Sequence, residues 1–400
     1  MSRRLIVYIH GVKYDLTDFQ HIHPGGKLIL QFADNREVSQ VFEQYHSMKI
    51  LNSGIIDKYR LNPNDKKYVC RLPTYYVEMK LKVNEYMNTN ALSGYTMNVL
   101  QIMRLLFIWT GYIYFYFRSL QNMYLIPIFV FFYLENGFHI MHDTSHSVFL
   151  KNKELSHTIG YISNDVLNGI SYFNWIDNHV FSHHAHCNID GQDHDIDAYP
   201  LRLNKNQPYY WYHKYQHIYC VFLYSMIYVS MYMNDLKSIF TKNRFGDLKY
   251  TEFLIYGKLL NFLLFVWIPL YYMNLSLSTF MINNVLSKMV GGIIISLIFQ
   301  VSHIFHKSEF NRSDVDWTTN QVISTQDYGV KSYLTSLLTG GLNLQVVHHL
   351  FPNISQLYYT SIQPIVQEGL KDKYNQCKNL NVAVGTHLRH IYEMSKQKSE

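Results

Sequence analysis

Charge is what this sequence has least of. Of its 400 residues only 16% are Asp, Glu, Lys or Arg, against roughly 25% in ordinary soluble domains. The net charge of +6 is mild and comes from scattered Lys and Arg, so the concentrated basic face of a nucleic-acid binder is missing. A weak attraction to an anionic membrane surface fits better. Cysteine is scarce too. Cys70, Cys187, Cys220 and Cys377 show no CxxC spacing and no disulfide-like density, which suits a reducing, cytosol-facing compartment. No cleavable leader is expected either, because the apolar run in Met1–Tyr8 is short and a polar segment follows at once. The N-terminus is therefore expected in the cytosol. What is abundant is hydrophobic residues (48%), aromatics (16%, with 35 tyrosines) and 21 histidines.

The length allows two or three domains. Residues 1–60 read as a small soluble module: 5–9 and 11–15 predict a short strand pair around a turn. Thr17 or Asp18 is placed to cap a helix ending before His23-Pro24-Gly25-Gly26. Residues 61–95, opening with Asn62-Pro63-Asn64-Asp65, are mixed and polar and predict a linker. Residues 96–400 hold four apolar stretches near 100–118, 123–141, 254–273 and 285–304, each approaching the ~20 residues that cross a bilayer. Arg104, Glu135, Lys258 and Lys288 interrupt them, and the basic ones are expected to snorkel.

From a cytosolic N-terminus, four crossings make two hairpins and return His142, His146, His303 and His306 to one face. The loops at 119–122 and 274–284 carry no Lys or Arg, whereas Lys237, Lys242, Arg244 and Lys249 crowd the cytosolic side before the third span. The apolar segment Tyr215–Met233 is long enough to upset this count. Its tyrosines favour a helix lying in the interface.

Two sets of histidines carry the chemistry. His23 and His46 are placed to clamp a haem iron from both faces, an arrangement that carries electrons and leaves no open position for oxygen. Pro24 and the glycines let the backbone turn close to a porphyrin edge. The second set lies further on. His142 and His146 are four apart and share a helix face, which His139 and Glu135 extend backwards. His179 and His183 repeat the spacing, with His184 swung about 100° around. Gln345, His348 and His349 follow at i, i+3 and i+4. One such pair is more often coincidence, but three on one membrane face point to a metal centre. Imidazole suits Zn, Cu, Fe and Ni. Zinc has no redox chemistry and no use for an attached haem, so iron is the expectation.

With Tyr14-Asp15-Leu16-Thr17-Asp18-Phe19 before His23 and Val41-Phe42-Glu43 before His46, residues 5–60 resemble cytochrome b5. The segment Ala33-Asp34-Asn35-Arg36-Glu37-Val38 departs from that family's pattern without removing a ligand. His142-Asp143-Thr144-Ser145-His146, Trp175–His184 and Gln345-Val346-Val347-His348-His349-Leu350-Phe351-Pro352 resemble the three histidine boxes of membrane fatty acyl desaturases. Glutamine in place of the first histidine of box three, with an N-terminal cytochrome b5 domain, resembles the front-end desaturases. Tyr215–Tyr219 and Asp195–Pro200 also look familial. Box two departs by one residue, having three between its first histidine and the pair. His194 replaces a common proline, and His186 and His306 are extra.

The resemblance implies a small α+β cytochrome b5-like domain followed by an all-α, four-span desaturase domain with a cytosolic histidine-rich cap. It implies one haem b on His23 and His46, and two non-haem irons on His142, His146, His179, His183, His184, His303, His348 and His349. Gln345 is then a ligand or orients one. It also implies an oxygen-dependent enzyme that puts a double bond between an existing one and the carboxyl end of an acyl chain, of the delta-5 or delta-6 kind. Electrons come from NADH through a cytochrome b5 reductase or its equivalent, and the substrate is a membrane lipid or acyl-CoA. Glu135, an intramembrane carboxylate, is expected to support His139 or His142. The alternatives are a sphingolipid long-chain-base delta-8 desaturase, a cytochrome b5-fused lipid hydroxylase, and a haem carrier with an inactive oxidase part. The presence of every box ligand opposes the last. The expected location is the endoplasmic reticulum membrane with both sites facing the cytosol, and Lys396 and Lys398 resemble a dilysine retrieval signal.

Overall fold

In the computed structural model, residues 4–90, 98–196, 199–241, 250–312 and 314–396 are described. Asp197, Ala198, Lys242, Arg244, Lys249 and Lys398, named above, lie outside them. Strands β1 (Ile6–Ile9) and β2 (Val12–Asp15) pair antiparallel, with Ile6 opposite Asp15 and Ile9 opposite Val12. His10 and Gly11 join them with φ of 51° and 77°, the mirror-image turn whose twist matches that of the strands. Where a capped helix was expected there is a single 3-10 turn, Phe19–His21, without a side-chain cap. Thr17 is engaged elsewhere: its hydroxyl donates to Asp15 and accepts from the Leu5 N–H. Helices α1 (Lys27–Ala33) and α2 (Ser39–Tyr45) follow, then a short helix Met48–Leu51 and a 3-10 turn Ile55–Tyr59.

This module is docked. Its core (Val7, Ile9, Tyr14, Leu30, Phe32) runs on into Phe173, Ile176 and Phe181 of the main body. Phe32 stacks on Phe173 and Phe181 with ring centroids 6.1 and 5.9 Å away, and Arg36 pairs with Asp177 at 2.5 Å. The segment expected as a linker carries the helix Thr74–Thr89. Its buried residues Tyr76, Met79, Lys80, Val83 and Met87 recur at helical spacing and join a core with Tyr359, Ile362 and Val366. The polar residues that suggested a linker form its outer face. Lys80 Nζ donates to the carbonyls of Glu43, Gln44 and His46 at 2.5, 3.1 and 2.8 Å, satisfying the open end of α2. Burial lowers this lysine to about 7.

Four helical stretches are long and apolar enough to cross a membrane: Val99–Gln121, Met123–Ser145, Tyr250–Tyr272 and Leu277–His303. They match the four expected, and the second and fourth end at one side. The second contains a wide turn, Asn136–Met141, closed by a five-residue bond from His142 N–H to the Gly137 carbonyl. The ambiguous segment is broken at Met226 into Gln216–Ser225 and Ile227–Phe240, each short of the ~20 residues a crossing needs. A Cβ at Gly292 would meet the carbonyl oxygens of Tyr224 and Ser225 at 2.9 Å. Glycine there lets the first piece lie against the fourth span.

Two basic residues expected to snorkel turn inward instead. Lys258 Nζ pairs with the buried Asp235 at 2.5 Å, and Arg104 bonds His139. A buried partner removes the need to reach water.

Candidate metal centre and haem site

His23 and His46 face one another with ring centroids 6.0 Å apart. Two metal–nitrogen bonds of about 2 Å, plus half a ring on each side, come to roughly this span. Nδ1–H of His23 donates to the Gly26 carbonyl at 3.3 Å, and that of His46 to the Phe42 carbonyl at 2.8 Å, leaving both Nε2 lone pairs free. Burial lowers both rings, His46 to about 4, so they are neutral and able to ligate. A Cβ at Gly25 would sit 2.7 Å from His23 Cε1, so the close turn needs glycine. These residues fit a bis-histidine haem.

The other histidines gather where the second and fourth spans end. His142, His146, His179 and His348 form one buried group, and His183, His303 and His349 form another with Cys187. His184 lies between, sharing a third grouping with His348 and His349. Nε2 atoms meet within each group: His142 to His179 at 3.2 Å, His183 to His349 at 3.2 Å and His184 to His348 at 2.9 Å. Donors that share a cation at about 2 Å lie roughly 3 Å apart. Nε2 of His146 and His303 and Oε1 of Gln345 are buried without a protein partner, as expected of ligating atoms. The residues fit a two-ion site.

The local backbone explains box two. Ile176–His183 is a wide turn closed by His184 N–H to the His179 carbonyl, again a five-residue bond. Such a turn advances about 80° per residue rather than 100°. His183 and His184 therefore fall on either side of His179 instead of one of them swinging away. The extra residue in this box is absorbed by the extra width.

Outer partners aim the rings. Asp193 holds His183 Nδ1 at 3.1 Å, Tyr359 holds His348 Nδ1 at 2.8 Å, Gln321 holds His349 Nδ1 at 2.6 Å, and Tyr45 holds His146 Nδ1 at 2.6 Å. Each bond fixes the proton on Nδ1 and turns Nε2 inward. Burial, with neighbouring imidazoles, keeps His146, His179, His184, His348 and His349 well below their ordinary pKa. Burial works the same way on His183, but the carboxylates of Asp193 and Asp195 override it and raise the ring to about 9. That position is built to carry positive charge. Sequence reasoning missed Tyr45, Cys187, Gln321 and Tyr359, which have no local spacing signal. Asp193 had one, standing in the acidic stretch 190–197.

Other expected residues stand apart. His139 meets Glu135 Oε2 and the Leu337 carbonyl, each at 2.8 Å, and belongs to no metal-type group among the described residues. Glu135 thus pairs with His139, with no hydrogen bond or ion pair to His142 among the described residues. His306 bonds Glu393 at 2.8 Å, and His186 and His194 lie outside the groups as well.

Trp175 stacks on His179 at 4.8 Å and lines, with Met141 and Gly137, a cavity of about 20 Å³. At Tyr133 and Asn168 this adjoins a second cavity, of about 60 Å³, that reaches Asn261 and Lys288. Together they make a narrow strip along the spans that begins at Trp175.

Four apolar spans, a buried cage of histidines at their common end and a docked haem-type module define a class: a membrane redox enzyme with its electron carrier built in. Residues 122–378 match the family described as Fatty acid desaturase, and residues 2–96 match the Cytochrome b5-like Heme/Steroid binding domain. The chain belongs to the fatty acid desaturase family and carries an N-terminal cytochrome b5 domain. It is 32% identical to the Probable Delta(5) fatty acid desaturase C of Dictyostelium discoideum, over 97% of this chain and 91% of that one. It is 30% identical to the Acyl-lipid (8-3)-desaturase B of the same organism (98% and 91% covered) and 31% to the Acyl-lipid (8-3)-desaturase of Physcomitrium patens (96% and 86%). The protein is thus an oxygen-dependent membrane oxidoreductase acting on lipid. The cytochrome b5 domain implies haem and an electron donor, and the family with its histidine clusters implies iron.

Proposed function

We propose that this chain is a front-end acyl-lipid desaturase that adds a double bond between an existing one and the carboxyl end of a fatty acyl chain. Of the delta-5 and delta-6 kinds, delta-5 is favoured by the names of its relatives. The observation that carries the reading is the convergence of all three histidine boxes and His303 on one buried site beside the cytochrome b5 domain.

In this reading residues 1–60 are the haem domain, 61–95 connect it, and 96–400 are the desaturase. His23 and His46 hold haem b. His142, His146, His179 and His348 hold one iron, and His183, His303 and His349 the other, with His184 between them and Gln345 as a ligand or an orienting group. When bound, the irons and O₂ supply the removal of two hydrogens from adjacent methylenes, with O₂ reduced to water. The chain's own residues do the rest. Asp193, Gln321, Tyr359 and Tyr45 keep the ligand rings oriented. Trp175, stacked on His179, lines with Met141 and Gly137 a small cavity that marks the acyl chain's approach to the cage. Burial of the cage excludes water from the reacting carbons. The electron source is an NADH-cytochrome b5 reductase or its equivalent, and the membrane is that of the endoplasmic reticulum with both sites facing the cytosol.

The test is expression in yeast fed candidate polyunsaturated fatty acids, with lipids profiled by gas chromatography. The expected result is a new front-end double bond that disappears in His348→Ala. A 2-hydroxy product, or a modified long-chain base with unchanged acyl chains, overturns it.

A further inference from the structure

The cytochrome b5 domain and the histidine cage touch through consecutive residues of one helix end. Gln44 Nε2 donates to the backbone carbonyl of His349 at 2.8 Å. Tyr45 Oη lies 2.6 Å from His146 Nδ1, and the two rings stack at 16° with centroids 6.3 Å apart. The next residue is His46, the haem-facing histidine. Nε2 of His146 is buried without a protein partner and points to the ligating role. The proton therefore sits on Nδ1, which donates to the tyrosine oxygen. Three further bonds fix this joint. Lys80 clasps the carbonyls of Gln44 and His46, and Asn353 Nδ2 donates to the Tyr45 carbonyl at 3.3 Å.

We propose that Tyr45 is the electron bridge between the two halves of the enzyme: a positioning residue that links the haem ligand His46 to the metal ligand His146 by one peptide unit and one hydrogen bond. The inference rests on the ligand assignment of the preceding subsection. One electron leaves ferrous haem, which becomes ferric, and one ferric ion of the cage becomes ferrous. Tyr45 carries the coupling and is unchanged, and no bond to carbon or oxygen is made or broken. The haem itself is re-reduced by the external electron donor. The neighbouring Gln44–His349 bond also reaches the cage, but one residue further from His46 and through a backbone carbonyl rather than a ligand ring. Phe32 and Arg36 meet Phe173, Phe181 and Asp177, none of which is a ligand.

The experiment uses the full-length protein, loaded with haem and iron in detergent or nanodiscs. The haem is reduced anaerobically with one electron equivalent, and its α-band is followed in a stopped-flow instrument as the ferric cage reoxidises it. Haem content, iron per chain and the rate at which a small dye reduces the iron directly are measured alongside. Tyr45→Phe is expected to keep its Soret band; it loses part of its iron with the bond that aims His146, so haem reoxidation and dye reduction are both compared per iron-loaded chain, and only the first should change. Haem reoxidation per iron-loaded chain should slow on the order of tenfold, the low end of what loss of an outer partner of a ligating histidine costs. Tyr45→Gln, whose amide oxygen can accept the same bond, should be faster than Tyr45→Phe, and it serves where the phenylalanine variant loses iron. Wild-type haem reoxidation in Tyr45→Phe, or equal slowing in the Gln and Phe variants, overturns the bridge. A wild-type chain that binds no iron overturns the ligand assignment instead, so the two failures are distinct.

Discussion

Asp235 is the buried anchor of the segment that carries box two, and removing its charge should loosen the metal site from a distance. Its side chain is 1% exposed. One oxygen accepts Lys258 Nζ at 2.5 Å and the Ser171 N–H at 2.8 Å, and the other accepts Asn174 Nδ2 at 2.7 Å. Ser171 caps the helix Tyr172–Trp175, which runs directly into Ile176–His183. Three elements are thus pinned by one carboxylate: the helix Ile227–Phe240, the third span and the start of box two. Asp235→Asn leaves a buried ammonium without its counter-charge, a change that costs about 3–5 kcal/mol, and Lys258→Met strands the carboxylate in the same way. The double variant removes both charges and should lose only about 1–3 kcal/mol for the imperfectly matched N–H groups. The two single losses together exceed the double loss by at least about 3 kcal/mol, so the coupling lies at or above the upper end for residues in contact. Where the pair is broken in the unfolding transition state, that is a factor of at least about 150 in inactivation half-life. The assay is the half-life of the detergent-solubilised protein at fixed temperature for all four members of the cycle, with iron per chain measured in each. Asp235→Asn should be the least stable and lose iron, and the double variant should recover most of both. Additive effects of the two single variants, or a wild-type half-life for Asp235→Asn, would refute the reasoning.

Three other outcomes are expected. Gly25→Ala drives a methyl group into the His23 ring, 2.7 Å from Cε1, so the Soret band should fall while iron per chain stays at the wild-type value; a normal Soret band contradicts the close turn. Asp193→Asn removes the charge that raises His183 to about 9 and should weaken iron retention about 10–100-fold, read as iron per chain during competition with a graded chelator. Glu43 accepts bonds from His10, Tyr68 and the Arg71 N–H. Burial opposes its charge, but these bonds win and hold its pKa below the ordinary 4.5. A carboxyl depressed in the folded state stabilises above its unfolded pKa, and that contribution disappears as pH falls through the folded value. The stability difference between wild type and Glu43→Gln should therefore be constant near neutrality and shrink below about pH 4.5; a difference that grows on acidification reverses the sign and rejects the account.

What could be read from the chain was set by local spacing and by hydropathy. Four apolar runs announced four spans, because crossing a bilayer demands a fixed length of helix whatever surrounds it. The histidines of the boxes announced a metal centre, because residues three or four apart share a helix face before any packing occurs. Hydropathy misread Thr74–Thr89, whose polar outer face hid a buried stripe, and Lys258, whose partner lies in another helix. The helical rule also placed His184 on the wrong side of its turn, since nothing in the spacing says that Ile176–His183 winds wide. The tertiary structure alone decided that His348 joins His142, His146 and His179 while its neighbour His349 joins His183 and His303. It alone brought Tyr45 to His146 across 101 residues of chain. Such pairings depend on how rigid elements pack, and their partners lie too far apart in sequence for any period to reveal them. The histidines were written locally, and their distribution between two buried groups, with the contact of Tyr45 on His146, came from the fold.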